Sequence, residues 1–215
     1  MSATQKRIEL SIDVFELPQQ KALVLPAMKP SDLVRAILDE FQEIEYLGKT
    51  TSGYHLVTEQ GNPLDDTLSL EKQVRNQSCL VLVEKEVAMP QNTQPMKGVA
   101  YLREQTSGYV YRLFWQPSII GRRVKNQSNN ALVAVDLSDE AAYPTGARVS
   151  RRHAQVVEQG GQYYLESLSQ NPTIVEDGAG NKTPLNGGNH PLNHGDSILL
   201  ENSGIRLKFI VRNGE

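Results

Sequence analysis

Cysteine is almost absent from this chain of 215 residues, and the lone Cys79 leaves no internal disulfide to form. It lies in the apolar run Cys79-Leu80-Val81-Leu82-Val83, where a thiol behaves as a small hydrophobe and not as a nucleophile. Long apolar runs are missing too. None approaches the roughly 20 residues that span a bilayer, so no direct membrane insertion is expected. Met1–Glu9 is polar and charged with no apolar stretch behind it, which argues against a secretory leader and for a cytoplasmic protein. Neither sign of charge dominates: 22 Lys+Arg against 25 Asp+Glu leave −3, which speaks against nonspecific binding of nucleic acid by the whole chain. No glycine-rich nucleotide loop occurs, because Gly178-Ala179-Gly180 and Gly187-Gly188 lack a following Lys-Ser/Thr. His190 and His194 have the spacing of helical metal ligands, but Pro191 lies between them and no cysteine or third histidine accompanies them. Ser150 and His153 stand three apart without a Gly-x-Ser-x-Gly elbow. No cofactor, no metal and no enzymatic activity are therefore expected.

What is present is ordinary globular composition, 39% hydrophobic and 22% charged, in a length that suits two domains of roughly 100 residues. The seam is Glu86–Lys97, which holds two prolines and no periodicity, so it reads as a linker between residues 1–85 and 98–215. Charge divides unevenly across it. Residues 1–97 carry 10 Lys+Arg against 14 Asp+Glu, whereas residues 98–215 carry 12 against 11.

In the first part Ile8, Leu10, Ile12 and Val14 alternate, which predicts a half-buried strand over Arg7–Phe15. Gln19-Gln20 reads as the turn and Ala22–Leu25 as the second strand. Ser31 is the expected helix cap, ahead of an apolar stripe at Leu33, Val34, Ile37, Leu38 and Phe41. Tyr54–Thr58 and Cys79–Val83 complete the strands, with the turn Gly61-Asn62-Pro63 and a short helix within Leu64–Val74 between them. This β-β-α-β-β order resembles the ubiquitin-like β-grasp fold, and is similar to the small bacterial ubiquitin-like proteins associated with type VII secretion. The resemblance implies a docking domain for a second protein partner. Conjugation is not implied, since the last strand runs into Glu84-Lys85-Glu86 and not into a free Gly-Gly.

After the seam come short apolar or alternating runs: Tyr109–Trp115, Ile119–Ile120, Leu132–Val135, Ala154–Glu158, Tyr163–Glu166, Thr173–Val175, Ser197–Leu200 and Ile205–Val211. Many short strands with frequent turn signals and no helix predict an all-β sandwich. Gly160-Gly161 between two alternating runs predicts a tight hairpin.

Three fragments of this part recur at predicted strand–loop junctions: Ile120-Gly121-Arg122, Ser150-Arg151-Arg152-His153, and Ser169-Gln170-Asn171-Pro172-Thr173. In that order, followed by the turn Gly195-Asp196 before two final strands, they resemble the forkhead-associated (FHA) family. The resemblance implies a binder of phosphothreonine peptides whose partner is marked by a Ser/Thr protein kinase. Arg122 is then the cation that grips the phosphate and Ser150 a hydroxyl donor to it. Asn171 holds the peptide backbone, and Arg151 and, more weakly, Gln170 border the phosphate. Arg148 matches a position that in some relatives faces the third residue after the phosphothreonine. Gly121, His153 and Thr173 support the loops, with His153 structural and not a ligand. Arg152 can equally be a solvated charge.

The chemistry suits such a ligand. A phosphothreonine brings roughly −1.5 to −2 charges and three strong acceptor oxygens, which call for a fixed cation and donors converging from several loops. Arginine supplies a planar fork of donors that stays charged at any relevant pH. The long segment Arg122–Gly146 holds Asp139 and Glu140, which are expected to repel phosphate or pair with Arg151. The other reading is a degenerate scaffold that binds an unphosphorylated protein partner. A nucleic-acid patch of Arg122, Arg123, Lys125, Arg148, Arg151 and Arg152 lacks interleaved aromatics.

Overall fold

The alternation that starts at Ile8 becomes strand β1 (Ile8–Val14), in a computed structural model that describes residues 7–124, 128–185 and 187–212. Leu10, Ile12 and Val14 are buried on one face of it. β2 (Leu17–Val24) folds back antiparallel on β1, followed by α1 (Pro30–Glu40), β3 (Tyr54–Thr58) and β4 (Ser78–Glu84). The sheet runs β2-β1-β4-β3, with β4 parallel to β1 and antiparallel to β3. Leu33, Val34, Ile37 and Leu38 of α1 join Leu10, Ile12, Leu56, Leu80 and Leu82 in one core. A single 3-10 turn, Leu70–Lys72, precedes β4 and buries Leu70.

Two local expectations need correction. The hairpin turns at Phe15-Glu16, not Gln19-Gln20, and Phe15 takes left-handed backbone (φ 54°) while its ring packs edge-on against Tyr46 and Tyr54. Gln19 is also left-handed (φ 56°), but inside β2, where its N–H donates to Asp13 Oδ1 at 2.7 Å and the register slips. The turn signal was a bulge. The helix starts two residues earlier than Ser31 as cap would allow: Lys29 is the cap, Pro30 fills the first helical position, and no side chain caps the end. Proline suits that place because its missing N–H would have been unpaired there anyway.

The chain divides into two compact units between Glu86 and Val87. The second unit consists of β5 (Gln94–Pro95), β6 (Val99–Glu104), β7 (Val110–Arg112), β8 (Trp115–Gln116), β9 (Ser118–Gly121), β10 (Val133–Asp136) and β11 (Ala154–Gln159). β12 (Gln162–Ser167), β13 (Thr173–Glu176), β14 (Lys182–Pro184), β15 (Asn189–Leu192), β16 (Ser197–Leu200) and β17 (Ile205–Arg212) complete it. Two larger sheets form, β10-β9-β11-β12-β15 and β14-β13-β16-β17-β6-β7. Their inner residues, among them Ile120, Val156 and Leu165 from one and Val175, Leu207 and Phe209 from the other, make a common core. Tyr163 meets Phe209 edge-on across it at 5.1 Å. This is a β-sandwich.

The tight hairpin is present: Gly160 (φ 60°) and Gly161 (φ 82°) join β11 to β12 with Gln159 opposite Gln162. Left-handed backbone at both turn positions is what glycine permits without steric cost. The expected run Tyr109–Trp115 is two strands, β7 and β8. β6, which pairs along its length with β17, was not foreseen. Ala100, Tyr101 and Leu102 are all buried in succession, so it carries no alternation to read. All of the seam after Glu86 falls in the second unit, and its later half is tied into that fold. Gln94-Pro95 pairs with Trp115-Gln116, and Glu158 Oε2 accepts the N–H groups of Lys97 (2.7 Å) and Gly98 (3.2 Å).

Candidate functional site: three loops at one end of the sandwich

Strand register decides which loops meet. β9 ends where β11 begins, since Ile120 lies opposite Ala154, and Ala154 in turn lies opposite Ser167 at the end of β12. On the other sheet Thr173 opens β13 opposite Leu200 at the end of β16. The segments after Gly121, before Ala154, between Ser167 and Thr173, and after Leu200 therefore gather at one end. Glu201 N–H donating to the Pro172 carbonyl (3.2 Å) extends the pairing of β13 with β16 into that end.

Gly121 admits the second loop. A Cβ built on it would lie 2.2 Å from the Arg151 carbonyl oxygen and 3.0 Å from that of Ser150, so any larger residue would push this loop away. Arg122 follows, half-buried, and its Nε donates to the Val149 carbonyl at 2.7 Å. One edge of the guanidinium is thus fixed, and among the described residues its Nη atoms have no partner. The neighbouring arginine is used otherwise. Arg123 Nη2 donates to the Val133 carbonyl (3.1 Å), its Nε lies 3.7 Å from Asp136 Oδ2, and its N–H donates to Asp136 Oδ1 (3.0 Å). Of the pair, only Arg122 is presented at the loop end.

Ser150 is held by Asn171, whose Nδ2 donates to Ser150 Oγ (2.9 Å) and to the Arg148 carbonyl (3.3 Å). A hydroxyl that accepts still has its proton to give, so Ser150 remains a donor. Both amide hydrogens of Asn171 are spent inside the site, leaving Oδ1 as its free group. In this arrangement the side-chain amide can accept from a further partner but has no hydrogen left to donate. The Asn171 N–H itself donates to Ser169 Oγ at 3.2 Å.

His153 is fully buried and joins the loops. Its Nδ1 accepts the Ser150 N–H (3.4 Å), which places the proton on Nε2, facing Thr173 Oγ1 at 3.0 Å. Its own N–H donates to the Ile120 carbonyl (2.9 Å), and its carbonyl accepts from Leu168 N–H (3.0 Å). Burial pushes its pKa down from 6.5 to about 4, so the ring is neutral at pH 7. Thr173 is likewise buried.

Arg148, Arg151 and Arg152 are exposed on the second loop, and Arg148 Nη1 reaches the Asn202 carbonyl at 3.5 Å. Gln170 is exposed at the tip of the third. Asp139 and Glu140 do not pair with Arg151 among the described residues. Asp139 closes its own turn instead, its Oδ1 accepting Ala141 N–H (3.0 Å) and its carbonyl accepting Tyr143 N–H (2.7 Å). Of the candidate basic patch, Lys125 lies outside the described residues.

Two supports were not legible beforehand. The Val149 carbonyl that steadies Arg122 has no side-chain signature. Tyr111 and Tyr143, whose hydroxyls are 2.6 Å apart, clamp the long loop to β7, and Tyr111 also donates to the Asp136 carbonyl (3.0 Å). Burial first, and then the hydrogen bond with Tyr143, raises the Tyr111 phenol far above its ordinary range, so it stays protonated at neutral pH.

The model of the FHA domain family matches residues 119–201. No curated protein matches the chain. Among solved structures, the FHA domain of human APLF in complex with an XRCC1 bisphospho peptide is 24% identical (TM-score 0.38), covering 53% of this chain and 98% of that one. Mycobacterium tuberculosis EmbR in complex with a low-affinity phosphopeptide is 26% identical (TM-score 0.39), covering 56% of this chain but 27% of that one. Caldiarchaeum subterraneum ubiquitin is similar at 15% identity (TM-score 0.31), covering 39% of this chain and 99% of that one.

Proposed function

The second unit of this chain carries an FHA domain, and from that premise we propose that the protein is an adaptor that binds phosphothreonine peptides on its partners. The observation that supports this best is the disposition of Arg122. Its Nε is pinned to a backbone carbonyl while its outer nitrogens remain available, and the Ser150 hydroxyl is held nearby through the same loop. A pinned guanidinium loses little freedom when it binds, and phosphate accepts two parallel N–H bonds from such a fork. Arg148, Arg151 and Arg152 add positive charge around it, and Asn171 Oδ1 is left to accept a backbone N–H of the bound peptide. A Ser/Thr protein kinase writes the mark.

In this reading the first unit is a ubiquitin-like β-grasp that docks a second protein. Its support is the sheet order β2-β1-β4-β3 with a parallel central pair and the single helix α1 between β2 and β3. The protein joins two partners and catalyses nothing itself.

The test is fluorescence anisotropy of the chain with a degenerate phosphothreonine peptide library and its unphosphorylated twin. Micromolar binding that requires the phosphate is expected, and Arg122→Ala should weaken it by about 2–5 kcal/mol, the cost of half-pairing a bound charge. Equal binding of the two libraries would sink the phosphothreonine reading and leave a scaffold for unphosphorylated partners.

A further inference from the structure

A groove of about 540 Å³ adjoins the third loop, lined by Leu168, Ser169, Gln170, Asn171, Pro172 and Leu185 among others. Among the described residues, none of the 148–153 loop lines it and none of its lining side chains is ionisable. Its apolar parts are Leu168, 38% exposed, and Leu185, nearly buried. Asn171 stands on the border, lining the groove while its side chain bonds toward Ser150 and Arg148.

The sheet order fixes which side is which. β13 starts just after Asn171-Pro172 and lies between β14 and β16. Arg148 reaches Asn202 in the turn after β16. Leu185 follows β14 on the other side of β13, where its N–H donates to the Thr173 carbonyl (2.8 Å). Two strand spacings separate β14 from β16, about 10 Å, or about three residues of extended peptide.

Resting on the phosphopeptide reading above, we infer that this groove is a second subsite of the same site, selecting uncharged residues on one flank of the phosphothreonine while the arginine loops select acidic residues on the other. A peptide seated over Asn171 extends from the cationic side at Arg148 to the neutral side at Leu168. An acidic residue over the groove would give up hydration and meet no cation. A small or apolar residue instead covers the exposed part of Leu168. The two flanks are read by opposite rules because the sequence places every arginine of the site on the loops at 122 and 148–152 and none at 167–172.

The experiment uses the full chain and phosphothreonine peptides in which Asp, Leu and Lys are scanned through the three positions on each side. Arg148→Glu identifies the flank that the arginines read, by loss of the preference for Asp there. Leu168→Lys should then shift the opposite flank toward Asp by about two- to fivefold, the size of an exposed ion pair. Gln170→Lys, at an exposed position that carries no core packing, should do the same and guards against a folding failure in the first variant. Phosphate-dependent binding in which both lysines leave selection unchanged, or alter the Arg148 flank, overturns the subsite alone. Wild-type binding that ignores the phosphate overturns the phosphopeptide reading, and the subsite with it.

Discussion

His153 shows how one residue can look like a catalyst and serve as a joint. Three apart from a serine, it invites a base–nucleophile reading, yet its two ring nitrogens are occupied by the Ser150 N–H and the Thr173 hydroxyl, and it is wholly buried. That burial has a consequence for stability. The folded-state pKa of about 4 lies below the unfolded value near 6.5, so the unfolded chain takes up a proton first as pH falls. Stability from this residue is intact above pH 6.5, declines through the window from 6.5 to 4, and by its lower end has dropped by roughly 3 kcal/mol. Urea unfolding of the wild type at pH 7 and pH 4.5 should show that decline, and His153→Gln should show less of it, since carboxylate titration is common to both proteins. Gly121 makes the companion case. Its Cβ would meet the Arg151 carbonyl at 2.2 Å, with nothing there but backbone to move. Gly121→Ala is expected to cost about 1–3 kcal/mol of stability by overpacking and to displace Ser150 and Arg151, so phosphopeptide affinity should fall as well. Denaturant midpoints together with anisotropy check both parts, and unchanged affinity would mean that the loop tolerates the shift.

At the scale of elements, the sequence was readable wherever one face was buried and the other wet. β1 announced itself by alternation, β4 by its apolar run, and the Gly160-Gly161 hairpin by its turn chemistry. The three site fragments were readable as well, because each places an unusual residue type at a strand end: a glycine under a close contact, a short hydroxyl, an asparagine bonded to its neighbour loop. What escaped was structure built on backbone or on two-sided burial. β6 is buried on both faces along Ala100–Leu102, the Val149 carbonyl is invisible in a residue list, and the left-handed Gln19 was a bulge and not a turn. The seam escaped in part for the same reason. Glu158, on β11, holds the N–H groups of Lys97 and Gly98, some sixty residues earlier in the chain. Removing that carboxylate leaves two backbone donors short of a partner, a local loss of about 1–3 kcal/mol. Limited trypsinolysis of Glu158→Ala should accordingly cut after Lys97 several times faster relative to Lys85 than it does in the wild type, where only Lys97 has this clamp.

For the whole molecule, the division between Glu86 and Val87 separates two bodies that each close a sheet system around a core of their own. Every side chain assigned to the proposed phosphate site, and every residue that steadies one, belongs to the second body, from Tyr111 to Asn202. The clamp at Glu158 and the short pair of β5 with β8 also fall on that side, so a cut at residue 87 leaves them intact. If recognition is local to those loops, residues 87–215 made alone should fold and bind a phosphothreonine peptide within about twofold of the full chain, the scatter expected of independent parts. Circular dichroism would establish the β fold of the fragment and anisotropy its affinity. A fragment that folds but binds many times more weakly would instead make the first unit part of the recognition surface. It would then cease to be a separable docking module, and the adaptor reading, in which two partners are held by two independent domains, would have to give way to one composite site.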